Sequence, residues 1–553
     1  MVNFKCLLLK QTVLFAVGVA AVPLAAQAQH VSPAPSPAWA TVANNGSIIP
    51  GSDRLFNSYG PPSVNAKGLV VFRGRSKGGP VVSLAENKPL HGVYSRDMGL
   101  SPAGALSKVF DNQTTVPQPN NTLYSGVLGT FTEFPAFPRI GIKNDRIATR
   151  GQSNPVWTYL LPDGSETRVG TSGVYSMRAG QAITAMAQLG AAPGFEYFSV
   201  PDAPPGTRFD QFPGAPAVAH DEKVVFKGNY TDGDLKKTGV YFRGLDPLKP
   251  TRKVNVIANS NRLIPGQPAG GVTFGSTAPP SASDKDVVFL GLDNEQTPTL
   301  GGIYRSVDWT SNPKLKTLVK FGSQVPGEPS GTTFNSIGEA LSYDGRFVSF
   351  WAAWGTETTA VTLQCPEEGN EKLVEFCKAT YPNGYVVQVP VHQGIFVRDT
   401  ELKKTHVVVK SGSQYSDFLY WVFSGRPPGV GDSDSEDFEE PRWRASAFHT
   451  VYRQGDGGAA QTAFKARRSG QPVIDGIYFT VTQQTPQVIR TLAETNTAAT
   501  LLDPLAPVGA IVTTLGIERD GLRNRWLTIS AGMLNAATSE SWAGVYLTRM
   551  GTY

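Results

Sequence analysis

Short apolar runs that begin with glycine recur along the whole chain. Each run continues with Val or Ile and then an aromatic residue, and a second apolar run precedes it. Runs of this kind, bounded by Gly, Pro and polar turns, are typical of β-strands. The seven glycine-led runs are Gly92-Val93-Tyr94, Gly173-Val174-Tyr175, Gly239-Val240-Tyr241, Gly302-Ile303-Tyr304, Gly394-Ile395-Phe396, Gly476-Ile477-Tyr478 and Gly544-Val545-Tyr546. The runs before them begin at Val70, Ile147, Val224, Val287, Phe347, Thr462 and Trp526.

The spacing of these runs indicates the fold. Successive leading glycines are 81, 66, 63, 92, 82 and 68 residues apart, and each unit has room for three or four strands. Such a unit is too short to bury a two-sheet core alone, whereas units packed in a ring cover each other's faces. The pattern predicts an all-β fold, a seven-bladed β-propeller built from seven repeats of about 60-90 residues. A row of small sandwiches or an open β-solenoid is the alternative.

Composition supports an all-β chain. The 553 residues include 58 Gly and 42 Pro, far above ordinary usage, and such frequent helix breakers exclude long helices and coiled coils. Aromatic residues make up 10% of the chain, which argues against disorder. The formal net charge of +5 is small for a chain of this length, so we expect no nucleic-acid partner.

The first residues have the features of an export signal. Lys5 and Lys10 precede an apolar stretch at 12–22, and Ala26-Gln27-Ala28 fits a cleavage site. We therefore predict a secretory signal peptide at 1–28, a Pro/Ser-rich linker at 29–38 and a single propeller domain at 39–553. No later apolar run is long enough to span a membrane. The expected location is secreted or periplasmic.

Two long insertions interrupt the repeats, at 355–393 and at 415–461, and long loops on a rigid scaffold often carry function. The first insertion contains Cys365 and Cys377, the only cysteines outside the predicted signal peptide. Because exported proteins meet an oxidising environment, we predict a disulfide between them.

One short segment resembles a known repeat. Asn65-Ala66-Lys67-Gly68-Leu69-Val70-Val71-Phe72 is similar to the Asn-x-x-Gly-x-x-Ala-Phe repeat of exported bacterial proteins, with Val71 where that repeat has Ala. Ser342-Tyr343-Asp344-Gly345-Arg346-Phe347-Val348-Ser349-Phe350 is a looser copy. The resemblance implies an exported β-repeat protein and supplies no catalytic residues.

Motifs for common catalytic sites are missing from the sequence, including Gly-x-Ser-x-Gly, His-Glu-x-x-His and the phosphate loop. Candidate catalytic residues are His91 and His392, which stand just before glycine-led runs, and His449. If the blades bring them to one mouth of the ring, they could serve as a base or as metal ligands. The alternative is that they are unrelated loop histidines.

An acidic stretch is the one candidate metal site. Asp432, Asp434 and Glu436 alternate with other residues and could supply the oxygen ligands that Ca²⁺ prefers. The stretch lacks the spacing of an EF-hand loop, and a solvated acidic loop neutralised by Arg442 and Arg444 is the alternative. We expect no cofactor other than calcium.

Basic residues stand at the end of the second run in four units, at Arg73, Arg150, Lys227 and Lys465. Equivalent positions in a propeller would form a ring of charge, which could attract an anionic partner such as an acidic polysaccharide. Tyr420 and Trp421 in the second insertion could stack on sugar rings or on a protein partner, and the alternative is that they belong to a core strand or anchor the loop. The sequence thus favours an exported binding protein for an anionic polysaccharide or a cell-envelope protein. A propeller-fold polysaccharide lyase or hydrolase is the alternative, and solvated strand ends are the simpler explanation of the basic residues.

Overall fold

The computed structural model describes most of the chain between residues 37 and 551. The described ranges are 37–77, 89–121, 129–153, 157–160, 166–169, 172–178, 180–188, 194–219, 223–246, 248–284, 286–307, 309–311, 313–367, 371–425, 441–455, 458–482 and 487–551. The predicted signal peptide and most of the predicted linker lie outside them.

Seven antiparallel sheets follow one another, and each is a blade. A blade has four strands. In six of the seven blades the inner strand is broken into two short segments that both pair with the second strand, whereas in the third blade one short strand and an isolated bridge between Gln211 and Asn229 take their place. The chain starts with β1 (Ala40–Asn44), and blade 1 contains β2 (Phe56–Tyr59), β3 (Ser63–Val64), β4 (Leu69–Ser76), β5 (His91–Asp97) and β6 (Ser107–Asp111).

Blades 2 to 4 repeat this plan, and blade 2 carries an extra hairpin of two strands, β10 and β11. Blade 2 contains β7 (Phe131–Glu133), β8 (Arg139–Ile140), β9 (Ile147–Ser153), β10 (Trp157–Leu160), β11 (Glu166–Val169), β12 (Gly173–Met177) and β13 (Thr184–Gln188), followed by a 3-10 turn at Glu196–Phe198. Blade 3 contains β14 (Ala217–Val218), β15 (Lys223–Asp232), β16 (Leu235–Gly244) and β17 (Asn255–Asn259). Blade 4 contains β18 (Ser276–Thr277), β19 (Ser281–Ala282), β20 (Val287–Leu292), β21 (Gly301–Val307) and β22 (Lys314–Lys320).

Blades 5 and 6 contain the two long insertions. Blade 5 contains β23 (Phe334–Ile337), β24 (Ser342–Tyr343), β25 (Phe347–Trp354), β26 (Thr358–Leu363), the helix α1 (Glu371–Thr380), β27 (Tyr385–Pro390), β28 (Gln393–Asp399) and β29 (Lys404–Lys410). Blade 6 contains β30 (Tyr415–Asp417), β31 (Leu419–Ser424), β32 (Arg442–Ala447), β33 (His449–Arg453), β34 (Ala460–Arg468), β35 (Asp475–Val481) and β36 (Ile489–Glu494). After a 3-10 turn at Ala499–Leu501, blade 7 contains β37 (Ile511–Gly516), β38 (Leu522–Arg523), β39 (Trp526–Asn535) and β40 (Glu540–Arg549).

The blades close into a ring. The short inner segments β3, β8, β14, β19, β24, β33 and β38 each contact the next, and β38 returns to β3. Blade 7 takes its fourth strand from the other end of the chain, since β1 pairs with β40. The predicted seven-bladed β-propeller is therefore confirmed.

The glycine-led runs are the third strands, and their aromatic residues pack between blades. Tyr94 lies edge-on to Phe56 of its own blade, with ring centroids 4.9 Å apart, and clusters with Val545 and Leu547 of blade 7. All seven of these aromatic residues are at most 2% exposed, namely Tyr94, Tyr175, Tyr241, Tyr304, Phe396, Tyr478 and Tyr546. The other six share hydrophobic clusters with residues of the preceding blade, so the seven aromatic residues are equivalent packing residues between blades.

Close packing also explains the leading glycine. A Cβ atom at Gly173 would lie 2.7 Å from the Tyr175 ring, and one at Gly92 would lie 2.5 Å from the carbonyl oxygen of Phe110. Neither contact leaves space for a side chain. At Gly173 the glycine is required because the aromatic residue two positions later folds back over it. At Gly92 it is required because the next strand lies too close.

Buried charges fill the centre of the ring. Arg139 and Arg523 are fully buried and both donate to Asp520, with Arg139 Nε 2.5 Å from Asp520 Oδ2. Burial acts to raise the pKa of Asp520, but the two arginines hold it below its ordinary value. Arg139 also donates to the Pro280 carbonyl oxygen of blade 4. These contacts join blades 2, 4 and 7 across the axis.

The predicted disulfide between Cys365 and Cys377 is confirmed, and it connects the end of β26 to α1. In the described part of the chain no helix combines the length and the apolar character needed to cross a membrane.

Candidate functional site

The four basic residues occupy one equivalent position. Each lies on the second strand of its blade, opposite the Val or Ile of the glycine-led run: Arg73 faces Val93, Arg150 faces Val174, Lys227 faces Val240 and Lys465 faces Ile477. In each blade this position is next to the break of the inner strand. The other three blades have Leu290, Trp351 and Ser530 there. The loops between the second and third strands of all blades lie on one face of the ring, and we call this face the mouth.

The surroundings of the four side chains differ. Arg73 donates to the Phe134 carbonyl oxygen of blade 2 at 2.7 Å and lies over the ring of Phe137. Arg150 donates to Ser172 and is 8% exposed, and Lys227 is 9% exposed. Arg150 and Lys227 are the least exposed of the four and have little free surface of their own. Whether the four residues bind a ligand stays a prediction.

The strands β31 and β32 form a hairpin that leaves blade 6 at the break of its inner strand, and we call it the cap hairpin. Its two faces differ in character. Trp421 opposite Ala445 and Phe423 opposite Trp443 lie on one face, whereas Val422 opposite Arg444 and Ser424 opposite Arg442 lie on the other. Directly opposed residues of an antiparallel pair share a face, so the hairpin has an apolar side and a basic side.

The apolar side packs on the insertion of blade 5. Leu419, Trp421 and Trp443 cluster with Leu363, Val387 and Val389 of the strands β26 and β27. Phe423 lies edge-on to Tyr381, which follows α1. The two predicted insertions thus pack together, and the disulfide of the first stiffens the support of the second. Trp421, a predicted sugar-stacking residue, contributes to this packing.

The basic side contacts blade 4. Arg442 Nη2 lies 2.8 Å from Glu295 Oε1 in the loop between β20 and β21, and both side chains are almost half exposed. Partial burial acts to raise the pKa of Glu295, but Lys227, Arg442 and Arg444 together hold it below its ordinary value. We call these three basic residues the cation cluster. Among the described residues, these three positive charges act on the one carboxylate of Glu295, and Arg442 is the residue that contacts it.

The structure brings together two other predicted ligand-binding residues, Lys465 and Tyr420. Lys465 Nζ lies 3.8 Å from the centre of the Tyr420 ring, and Arg467 lies over the same ring. Burial lowers the pKa of Lys465 to about 8. Burial also raises the pKa of Tyr420, so the phenol stays neutral. Asp475 accepts two hydrogen bonds from Arg467 and balances one of the positive charges.

The three candidate histidines lie in different places. His91 begins the third strand of blade 1 and lies edge-on to Phe134, and burial lowers its pKa despite the nearby Glu133. His392 is half exposed in blade 5 and lies 3.4 Å from Glu357. His449 is buried at the axis, where its Nδ1 is 2.7 Å from Ser349 Oγ. Burial lowers the pKa of His449 to about 3, so it is neutral at pH 7. Among the contacts of the described residues, none joins any two of these histidines.

The predicted calcium ligands Asp432, Asp434 and Glu436 lie outside the described residues. Within the described ranges, no group of three or more His, Cys, Asp or Glu side chains could hold a metal ion.

Comparisons with known proteins found similarity to solved structures alone. No protein-family profile matches the sequence, and no curated protein matches it. Similar solved structures include the β-propeller domain of the Trilobed protease from Pyrococcus furiosus, at 10% identity and a TM-score of 0.37, with 91% of this chain and 98% of that one covered.

Two other similar structures are enzymes that act on carbohydrates or related compounds. The periplasmic gluconolactonase of Pseudomonas aeruginosa is 11% identical, with 81% of this chain and 89% of that one covered and a TM-score of 0.31. The α-L-arabinofuranosidase of Fusarium graminearum is 10% identical, with 92% and 98% covered and a TM-score of 0.29. At these identities and TM-scores the likenesses carry no functional argument.

Sequence reasoning missed two residues of the mouth, Glu295 and Arg467. Glu295 is in an eight-residue loop of blade 4, far along the chain from the cap hairpin that it contacts. Arg467 stands two residues after Lys465, on the same side of β34 as that lysine. The position of Arg467 could have been predicted from the alternation of side chains along β34. The position of Glu295 beside Arg442 depends on how the cap hairpin folds over the ring.

Proposed function

We propose that this protein binds an acidic glycan at the mouth of the ring, beside the cap hairpin. One observation carries the proposal: Arg442 of the insertion binds the carboxylate of Glu295 at 2.8 Å, and Lys227 of the repeated basic position and Arg444 lie near enough to act on the same carboxylate. Arginine forks and a lysine ammonium are the groups that proteins use to bind carboxylate and sulfate groups.

The charge distribution supports this proposal. Arg73, Arg150 and Lys465 hold the same register position as Lys227, so a basic residue stands at this position in four of the seven blades. Charges that line a concave mouth raise the local concentration of an anion even when the net charge of the protein is small. A polyanion therefore fits this face better than a neutral chain does.

Tyr420 supports the site in a different way from the one the sequence suggested. Its ring lies beneath Lys465 and Arg467 instead of being presented to solvent. A cation over an aromatic face is stabilised by the ring quadrupole. We propose that Tyr420 positions these two cations and does not itself stack on a sugar.

The disulfide between Cys365 and Cys377 supports the proposal that the protein is secreted or periplasmic, because such bonds persist in oxidising compartments. Acidic polysaccharides are components of that environment. A cell-envelope protein with an acidic surface is the other partner that the same charges would accept.

Retention on an immobilised acidic polysaccharide tests the proposal. The variant Arg442→Gln/Arg444→Gln should elute at clearly lower salt than the native protein. The matched control Lys314→Gln/Lys316→Gln removes two exposed charges from the outer strand β22 of blade 4, and it should elute with the native protein. Equal losses in both variants would mean that retention reflects net charge alone, and the proposal would be rejected.

A second candidate function is catalysis on such a glycan, and the surroundings of His91 favour it. Burial keeps His91 neutral, as a general base must be, and Arg73, Arg75 and Glu133 lie near enough to affect its pKa. The test is incubation with uronate-containing polysaccharides, followed by ultraviolet absorbance for unsaturated products and by a reducing-end assay. Products that disappear in the His91→Ala variant would support an enzyme, and no products would leave binding as the function.

A further inference from the structure

The ion pair between Arg442 and Glu295 occupies the cation cluster with one of the protein's own carboxylates. Glu295 Oε1 accepts from Arg442 Nη2 at 2.8 Å, and Lys227 and Arg444 add to the attraction. The Glu295 side chain is 43% exposed and that of Arg442 is 46% exposed. Because water reaches both groups, the pair is weak enough to be exchanged for another anion.

The pair also connects the cap hairpin of blade 6 with blade 4. Arg442 begins β32 of the cap hairpin, whereas Glu295 lies in a loop of blade 4 that Asp293 shapes. Asp293 accepts hydrogen bonds from the backbone N–H groups of Thr299 and Leu300 and from the hydroxyl of Thr299. This loop is therefore fixed by its own contacts and does not need the ion pair to keep its conformation.

We propose that Glu295 is an internal competitor that occupies the ligand site of the free protein, and that the ligand group which replaces it is a carboxylate, as in a uronate-containing glycan. The inference rests on the proposed function of the mouth. The carboxylate of Glu295 shows what the cation cluster accepts, since it is the group that Arg442 binds there. Binding of the glycan exchanges one carboxylate for another and frees the cap hairpin from blade 4.

The competition has a measurable consequence. The apparent affinity for an external ligand is its intrinsic affinity multiplied by the fraction of protein molecules whose site the internal ligand leaves empty. Because exposed ion pairs are weak, we expect that Glu295→Gln binds oligogalacturonate about two- to five-fold more tightly than the native protein at low salt. A residue that only supported the fold would weaken binding when replaced.

Glu328→Gln is the matched control. Glu328 pairs with Lys410 on another part of the ring, so the substitution changes the net charge by the same amount without touching the cation cluster. Its affinity should equal that of the native protein. If it binds as tightly as Glu295→Gln, the gain reflects net charge, and the inference is wrong.

A double-mutant cycle tests the mechanism. In the background of Arg442→Gln, the change Glu295→Gln should give a much smaller gain, because the competitor has lost its main partner. Equal gains in both backgrounds would overturn the inference. A sulfated oligosaccharide and a neutral one are measured alongside, and preference for the sulfated chain over oligogalacturonate would overturn the carboxylate assignment.

The outcomes for the inference and for the proposed function are distinct. If Arg442→Gln/Arg444→Gln binds as well as the native protein, the proposed function fails. If that variant loses binding while Glu295→Gln equals the native protein, only the competition fails. Melting temperatures of all variants, expected to lie close to that of the native protein, show that each is folded.

Discussion

Two sets of equivalent residues in this ring behave differently. The seven aromatic residues of the third strands are all buried against a neighbouring blade. The basic residues of the second strands also share one register position, yet Arg73 binds a carbonyl oxygen, Arg150 a serine, and Lys465 the face of a tyrosine. A repeat therefore fixes where a side chain stands. What it contacts there depends on the loops and insertions around it.

The largest effect should come from the aromatic set. Replacing Phe396 by Ala removes a fully buried ring that contacts Phe334 and Phe350. The free energy of unfolding should fall by about 3 to 5 kcal/mol, the usual cost of such a cavity. Urea denaturation measures it. A loss below about 1 kcal/mol would mean that the blades do not depend on this packing.

The buried histidine at the base of the cap hairpin gives the next effect. The pKa of His449 is about 3 in the folded protein, against about 6.5 in the unfolded chain. Because the unfolded chain takes up the proton first, stability should fall as the pH drops from about 6.5 toward 3.

The variant His449→Asn should flatten that part of the stability curve, since asparagine has no group that titrates there. Urea denaturation at several pH values provides the curves for the variant and the native protein. If the two curves run parallel between pH 7 and pH 4, the burial of a neutral histidine does not account for any acid sensitivity.

The disulfide should have a smaller and more local effect. A loop of this length implies about 3 kcal/mol of stabilisation in the chain-entropy model, but it applies to the insertion of blade 5 and not to the ring. Cys365→Ser/Cys377→Ser should therefore speed amide exchange in β26, β27 and α1 while the blades stay protected. Equal acceleration in every blade would show that the insertion is part of the same folding unit.

Much of the fold could be predicted from the sequence because the repeat carries its own packing rules. Gly173, two positions before Tyr175, is required because the tyrosine ring lies against it. The Asn65 side chain accepts from the N–H groups of Lys67 and Leu69, and Gly68 has a φ of +95°. Both are local relations, so they recur in the sequence wherever the same turn recurs in the structure.

The mouth could be predicted only in part. Lys227 and Lys465 were found because they belong to the repeat. The contact of Arg442 with Glu295 spans 147 residues and depends on two insertions packing together, which no repeat encodes. The charged centre formed by Arg139, Asp520 and Arg523 was missed for the same reason, since Arg139 of blade 2 lies 381 residues along the chain from Asp520 of blade 7.

If the cation cluster binds an acidic glycan, that binding should depend steeply on the salt concentration. The dissociation constant for oligogalacturonate should be measured by titration calorimetry from low to high salt, for the native protein and for Arg442→Gln/Arg444→Gln. We expect steep weakening with salt for the native protein, because exposed charges are screened beyond about 10 Å at 0.1 M, and weak binding with a shallow slope for the variant. The same affinity and slope in both proteins would show that the cation cluster does not bind the glycan.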